Sequence, residues 1–90
     1  MIERTQIQWR RDGFTARADN LPENIDSYLL RKAFNEYGEI EFCKVATELD
    51  GASKGYGFVQ FSERESCFKA IQALDRAKFN GTTVYIREYY

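Results

Sequence analysis

The 90-residue chain has no histidine, one proline, one tryptophan and two cysteines. Without histidine, and with only Cys43 and Cys67, it has no ligand set for a zinc site and no disulfide framework. Both thiols read as small core residues in a reducing compartment. No apolar run is long enough for a signal peptide or a membrane span, so a soluble, intracellular protein of nucleus or cytoplasm, without a membrane partner, is expected. Positive charge is not in excess: 13 Lys and Arg face 14 Asp and Glu, for a net charge of -1. No global basic field therefore announces a polyanionic partner, and any such site must be local. A Gly-x-Ser-x-Gly elbow and a phosphate loop are also missing, so no enzyme chemistry and no cofactor are expected.

What is present is apolar and aromatic material, 43% and 16% of the residues, enough for one core and therefore one domain. Residues 14–18 form a short, weakly apolar strand that stops at Asp19, Asn20, Leu21 and Pro22. Asp26 is placed to cap a helix whose Leu29, Leu30, Ala33, Phe34 and Tyr37 recur at helical spacing, and Gly38 supplies a left-handed stop. Residues 40–47 are rich in branched and aromatic side chains and predict a second strand, followed by a turn around Asp50-Gly51. Residues 56–61 are too short and too aromatic for a helix and predict a third strand. Ser62 and Glu65 match a capping box, and Cys67, Ala70, Ile71 and Leu74 trace the buried face of a second helix. Asn80-Gly81 is a turn, and residues 82–90 predict the last strand.

The order β-α-β-β-α-β is the split βαβ, ferredoxin-like arrangement of the α+β class: a four-stranded antiparallel sheet with two helices on one face. Alternation sends Cys43, Val45, Val59, Phe61, Val84 and Ile86 toward the helices. The opposite face then carries Phe42, Lys44, Tyr56, Phe58, Gln60, Tyr85 and Arg87. Rings and cations side by side on a solvent-facing sheet mark an interaction surface.

The octamer Lys54-Gly-Tyr-Gly-Phe-Val-Gln-Phe61 fits the signature of RNA recognition motif domains and falls in the third predicted strand. With Asn20-Leu21, Leu30, Phe34, Gly38, Ala70, Ile71 and Leu74 in register, the chain resembles that family over residues 14–89. The texture of Cys43-Lys-Val45 and of Ser53-Lys-Gly-Tyr-Gly-Phe-Val59 is similar to the second such domain of poly(A)-binding proteins. The resemblance implies single-stranded RNA as partner and an mRNA-binding or mRNA-processing protein, splicing included, as parent. It assigns Tyr56 and Phe58 as the stacking pair and Lys54 as a phosphate contact. Lys44, Gln60 and Arg87 are expected to read base edges, since only hydrogen-bonding groups distinguish them. One position departs from the family: the second residue of the strand-one signature Ala16-Arg-Ala-Asp-Asn-Leu21, ordinarily aromatic, is Arg17. A guanidinium plane can stack on a base, whereas Asp19 beside it repels phosphate and is expected to pair with Arg17. Phe42 is the candidate substitute ring.

Residues 14–90 are expected to be the domain, a monomer in isolation. Residues 1–13 are expected to be an N-terminal extension or an inter-domain linker, with residues 5–9 resembling the last strand of a preceding domain of the same family. Two alternatives stay open. Ile7 and Trp9 are placed to cover Tyr56 and Phe58, and the alternative to RNA is a protein partner docked on the sheet or on a helix face. Tyr85, Tyr89 and Tyr90 are equally consistent with ordinary strand formers, and of these Tyr85 is the expected contact.

Overall fold

A computed structural model describes residues 9–89. The elements are β1 (Thr15–Asp19), α1 (Ser27–Phe34), a single 3-10 turn (Asn35–Tyr37), β2 (Ile40–Thr47), β3 (Ser53–Phe61), α2 (Arg64–Leu74), β4 (Lys78–Phe79), β5 (Thr82–Thr83) and β6 (Tyr85–Glu88). Four of the strands make an antiparallel sheet in the order β2-β3-β1-β6, while β4 and β5 pair only with each other. Period-two alternation buries Ala16 and Ala18 of β1, Val45 of β2, Val59 and Phe61 of β3 and Ile86 of β6 beneath Leu30, Phe34, Cys67 and Ala70 of the two helices. The predicted inward set is in place, Cys43 being only partly buried. β1, thin in apolar content, is central rather than peripheral, and its alanine methyls fill the space under the helices.

Asp26 caps α1 as its sequence position implies, its Oδ1 accepting from the Leu29 N–H at 2.9 Å. Ser27 then ties the helix to β2, because its hydroxyl accepts from the Val45 N–H at 2.9 Å. The helical pattern ends in the 3-10 turn, and Gly38 follows at φ 153° rather than in the left-handed helical region. A side chain there would collide with Ser66 of α2, since a Cβ would lie 2.1 Å from Ser66 Oγ.

Three boundaries differ from the sequence expectation. The N-cap of α2 is Glu63 with no side-chain cap bond, so Ser62 and Glu65 do not close the predicted box. Ser62 instead donates its N–H to the Glu39 carbonyl at 3.0 Å, a tertiary contact that the local motif does not reveal. β3 begins at Ser53, because the Asp50-Gly51 turn is tight enough for Thr47 to pair with Ser53. The single predicted last strand is divided. Asn80 and Gly81, both at positive φ, fold residues 82–83 back on β4, and the chain joins β1 only from Tyr85.

Candidate nucleic-acid interface

Strand register arranges the face away from the helices as three rows. Phe42 of β2 lies opposite Gln60 of β3, and Gln60 opposite Thr15 of β1. The next row is Lys44, Phe58, Arg17 and Arg87, one residue from each of the four strands. The third is Tyr56, Asp19 and Tyr85. Directly opposed residues share a face, so the sequence-predicted set other than Lys54 is brought together by pairing alone. Lys54 lies outside the rows, exposed at the loop end of β3.

Arg17 is the hinge between the rows. Its guanidinium carbon sits 4.4 Å from the centre of the Tyr56 ring and 5.7 Å from that of Phe58, within cation–π range of both. Its Nε also donates to Asp19 Oδ1 at 2.9 Å, the expected pairing of the two. Arg87 approaches the other carboxylate oxygen at 3.6 Å, so Asp19 lies between two guanidinium groups. An open hollow of about 450 Å³ adjoins this pair, lined by Arg17, Arg87, Glu88 and Tyr89. Planar cations over rings, beside an accessible hollow, suit a flat ligand bearing negative charge.

The surroundings of Phe58 are different, because the chain itself packs against that ring. The Trp9 ring lies 5.4 Å from that of Phe58 at an interplanar angle of 35° and 6.2 Å from that of Phe42, edge-on. From the other end of the chain Tyr89 meets Phe58 edge-on at 4.9 Å, and Arg11 lies 5.3 Å over the Tyr89 ring. Phe42 meets Trp9 only edge-on and stays 37% exposed, so it borders the Trp9 site while keeping part of its ring open. Gln60 requires a correction. Its side chain faces the predicted way but is 1% exposed. Its Oε1 accepts from the main-chain N–H of Arg10, and its Nε2 donates to Glu41 at 3.1 Å. An amide so engaged is not offered to a base edge. Lys44 and Arg87 remain exposed, and Tyr85 is 48% exposed.

Tyr89 was not singled out from sequence, although its parity with Tyr85 and Arg87 assigns it to the same face. Ile7 and Tyr90, and the strand-like segment 5–9 apart from Trp9, lie outside the described residues. Cys43 and Cys67 stand apart from the interface. Burial pushes both thiols up to about 11, with Arg31 partly offsetting the effect at Cys43 and Glu88 adding to it at Cys67. Thiols so raised stay protonated near neutrality and are poor nucleophiles.

Known proteins resemble this chain in sequence and in fold. The sequence model of the RNA recognition motif matches residues 19–85. Polyadenylate-binding protein 2 of Arabidopsis thaliana is 46% identical over 67 residues, 74% of this chain and 11% of the relative. A cytoplasmic and nuclear polyadenylate-binding protein of Encephalitozoon cuniculi is 44% identical over 73 residues, 78% of this chain and 14% of the relative. The chain thus spans a small part of the curated relatives it matches. Among solved structures, the second RNA recognition motif of yeast poly(U)-binding protein superposes with a TM-score of 0.78 at 27% identity, over 86% of this chain and 94% of that one. Domains 1 and 2 of Drosophila melanogaster Sex-lethal give a TM-score of 0.82 over 86% of this chain and 50% of theirs; at 22% identity this likeness shows the fold alone. The octamer lies on the central β3, its two rings are on the open face, and the family model spans well over half of the sequence: the chain belongs to the RNA recognition motif family.

Proposed function

We propose that this domain binds single-stranded RNA on its open sheet face, as a non-catalytic module of an mRNA-binding protein. The observation that carries the reading is the row Lys44, Phe58, Arg17 and Arg87 with Tyr56 beside it, in which three cations flank and adjoin the aromatic pair of β3. Stacking on a ring tolerates any base and Arg adds a cation–π contribution, whereas a duplex hides its base faces, so splayed single strands suit this surface. Tyr56 and Phe58 take bases or the sugars between them. Arg17 replaces the missing strand-one ring as a planar platform, and Lys44, Lys54 and Arg87 meet phosphate or base edges. The names of the curated relatives make oligoadenylate the first sequence to test and favour an intracellular setting, cytoplasmic, nuclear or both.

The test is an amide-shift titration with a random single-stranded RNA pool and then with homopolymers. Shifts centred on Arg17, Tyr56, Tyr85 and Arg87 are expected. Since stacking is worth about 1 to 3 kcal/mol per base, Tyr56→Ala should weaken binding roughly tenfold. Unchanged affinity in that variant, or shifts confined to the helices, would refute the reading. The latter outcome would favour a protein-docking domain, for which the exposed rings of Tyr28 on α1 and Phe68 on α2 are the natural contacts.

A further inference from the structure

We infer that Trp9 is a built-in competitor for the base at Phe58, so that the RNA site has a closed half under the chain's own N-terminal segment and an open half around Arg17 and Tyr56. This rests on the proposed RNA reading and adds a regulation to it. A base stacking on Phe58 needs the ring face that Trp9 now occupies at 5.4 Å and a tilt of 35°, within the range of an offset aromatic pair. Indole and a purine are both flat and bicyclic, so each covers the ring in the same way and one excludes the other.

The cover is fastened where it would not impede opening elsewhere. The main chain of Arg10 is clasped at both ends, its N–H by Gln60 Oε1 and its carbonyl by the Thr15 hydroxyl. The Arg10 side chain lies 3.7 Å over Phe14 and 3.9 Å from Glu41. Gln60 and Thr15 are buried at 1% and 0% exposure, so this clasp belongs to the folded domain. Trp9 lies outside it and is only half-buried, which lets the indole swing away while Arg10 stays fixed. Meanwhile Tyr56, Arg17 and Arg87 stand outside the Trp9 contacts, leaving RNA a place to dock before Phe58 is uncovered. Apparent affinity then falls with the fraction of molecules in which the indole is away.

Trp9 is the chain's one tryptophan, so its fluorescence reports the exchange directly. Trp9→Ala, Phe58→Ala and the unchanged protein would be titrated with a random single-stranded RNA pool. Trp9→Ala is expected to bind about three- to tenfold tighter, as removal of a competing closed state requires. In the unchanged protein the tryptophan emission should move to the red as RNA transfers the indole to water. Equal or weaker binding by Trp9→Ala, or emission that does not move at saturating RNA, overturns the competitor. If Trp9→Ala does not fold, the emission shift of the unchanged protein decides alone. Should the folded unchanged protein and Trp9→Ala both ignore RNA, the RNA reading itself fails and the competitor with it. If RNA binds and Phe58→Ala weakens it while Trp9→Ala does not strengthen it, only the competitor falls.

Discussion

A carboxylate set between Arg17 and Arg87 lowers the positive charge that the sheet offers to phosphate, because both guanidinium groups already face an acceptor, at 2.9 and 3.6 Å. Partly exposed pairs of this kind are worth only about 0 to 1 kcal/mol, so RNA can compete for either arginine. Asp19→Asn keeps the shape of the side chain and removes its charge. It should tighten RNA binding several-fold at low salt, and binding measured across a salt series should show the gain shrinking as screening rises. Weaker binding instead would mean that Asp19 accepts from a base itself. The Arg17–Asp19 pair was legible in the sequence, since residues two apart on a strand share a face. The arrival of Arg87 was not, because it depends on the register of β1 against β6. Gln60 failed for a related reason: parity gave its direction, but its amide oxygen is taken by the main chain of Arg10, fifty positions away.

Within β3, Gly57 interrupts the aromatic run and is needed for closeness rather than flexibility. A Cβ there would lie 2.7 Å from the Lys44 carbonyl oxygen and 3.0 Å from Leu30 Cδ2. Gly57→Ala should therefore push β2 or α1 outward and destabilise the domain by about 1 to 3 kcal/mol, as overpacking usually does. Urea unfolding would check this; an unchanged midpoint would show that the strand can shift to accommodate the methyl. At this scale local signals served well where the controlling contact is local. The Asp26 cap, the span of β2 and the Asn80-Gly81 turn all follow from neighbours in sequence. The capping box of α2 and the continuity of the last strand did not hold, since Ser62 bonds to Glu39 and residues 82–83 pair back on β4.

For the molecule as a whole, a net charge of -1 leaves RNA attraction to a few cations on one face. The salt slope of binding should be shallow, since log K falls by roughly 0.7 for each phosphate neutralised on a single strand. Alkaline stability is set elsewhere. Cys43 and Cys67 are raised to about 11 from 9.0, so above the unfolded value the folded state holds protons that the unfolded chain releases. Their contribution is fully present below pH 9 and is lost as pH climbs through about 11. Melting temperatures measured across that window should fall, and a Cys43→Ala, Cys67→Ser double variant should fall less. Alkylation of the native protein at pH 8 should be slow compared with the denatured chain; equal rates would contradict the raised thiols.

The three rows across β2, β3, β1 and β6 also limit how this domain can diversify. Sliding β3 by one residue would turn Tyr56 and Phe58 into the core and bring Val59 to the surface, so no working intermediate lies along that route. Within the sheet itself, new ligand preferences arise by exchanging side chains in place, at grid points whose spacing is held constant by the packing beneath. Arg17, at the point where the strand-one signature of the family calls for a ring, illustrates what such a grid point accepts: a different chemistry on an unchanged lattice.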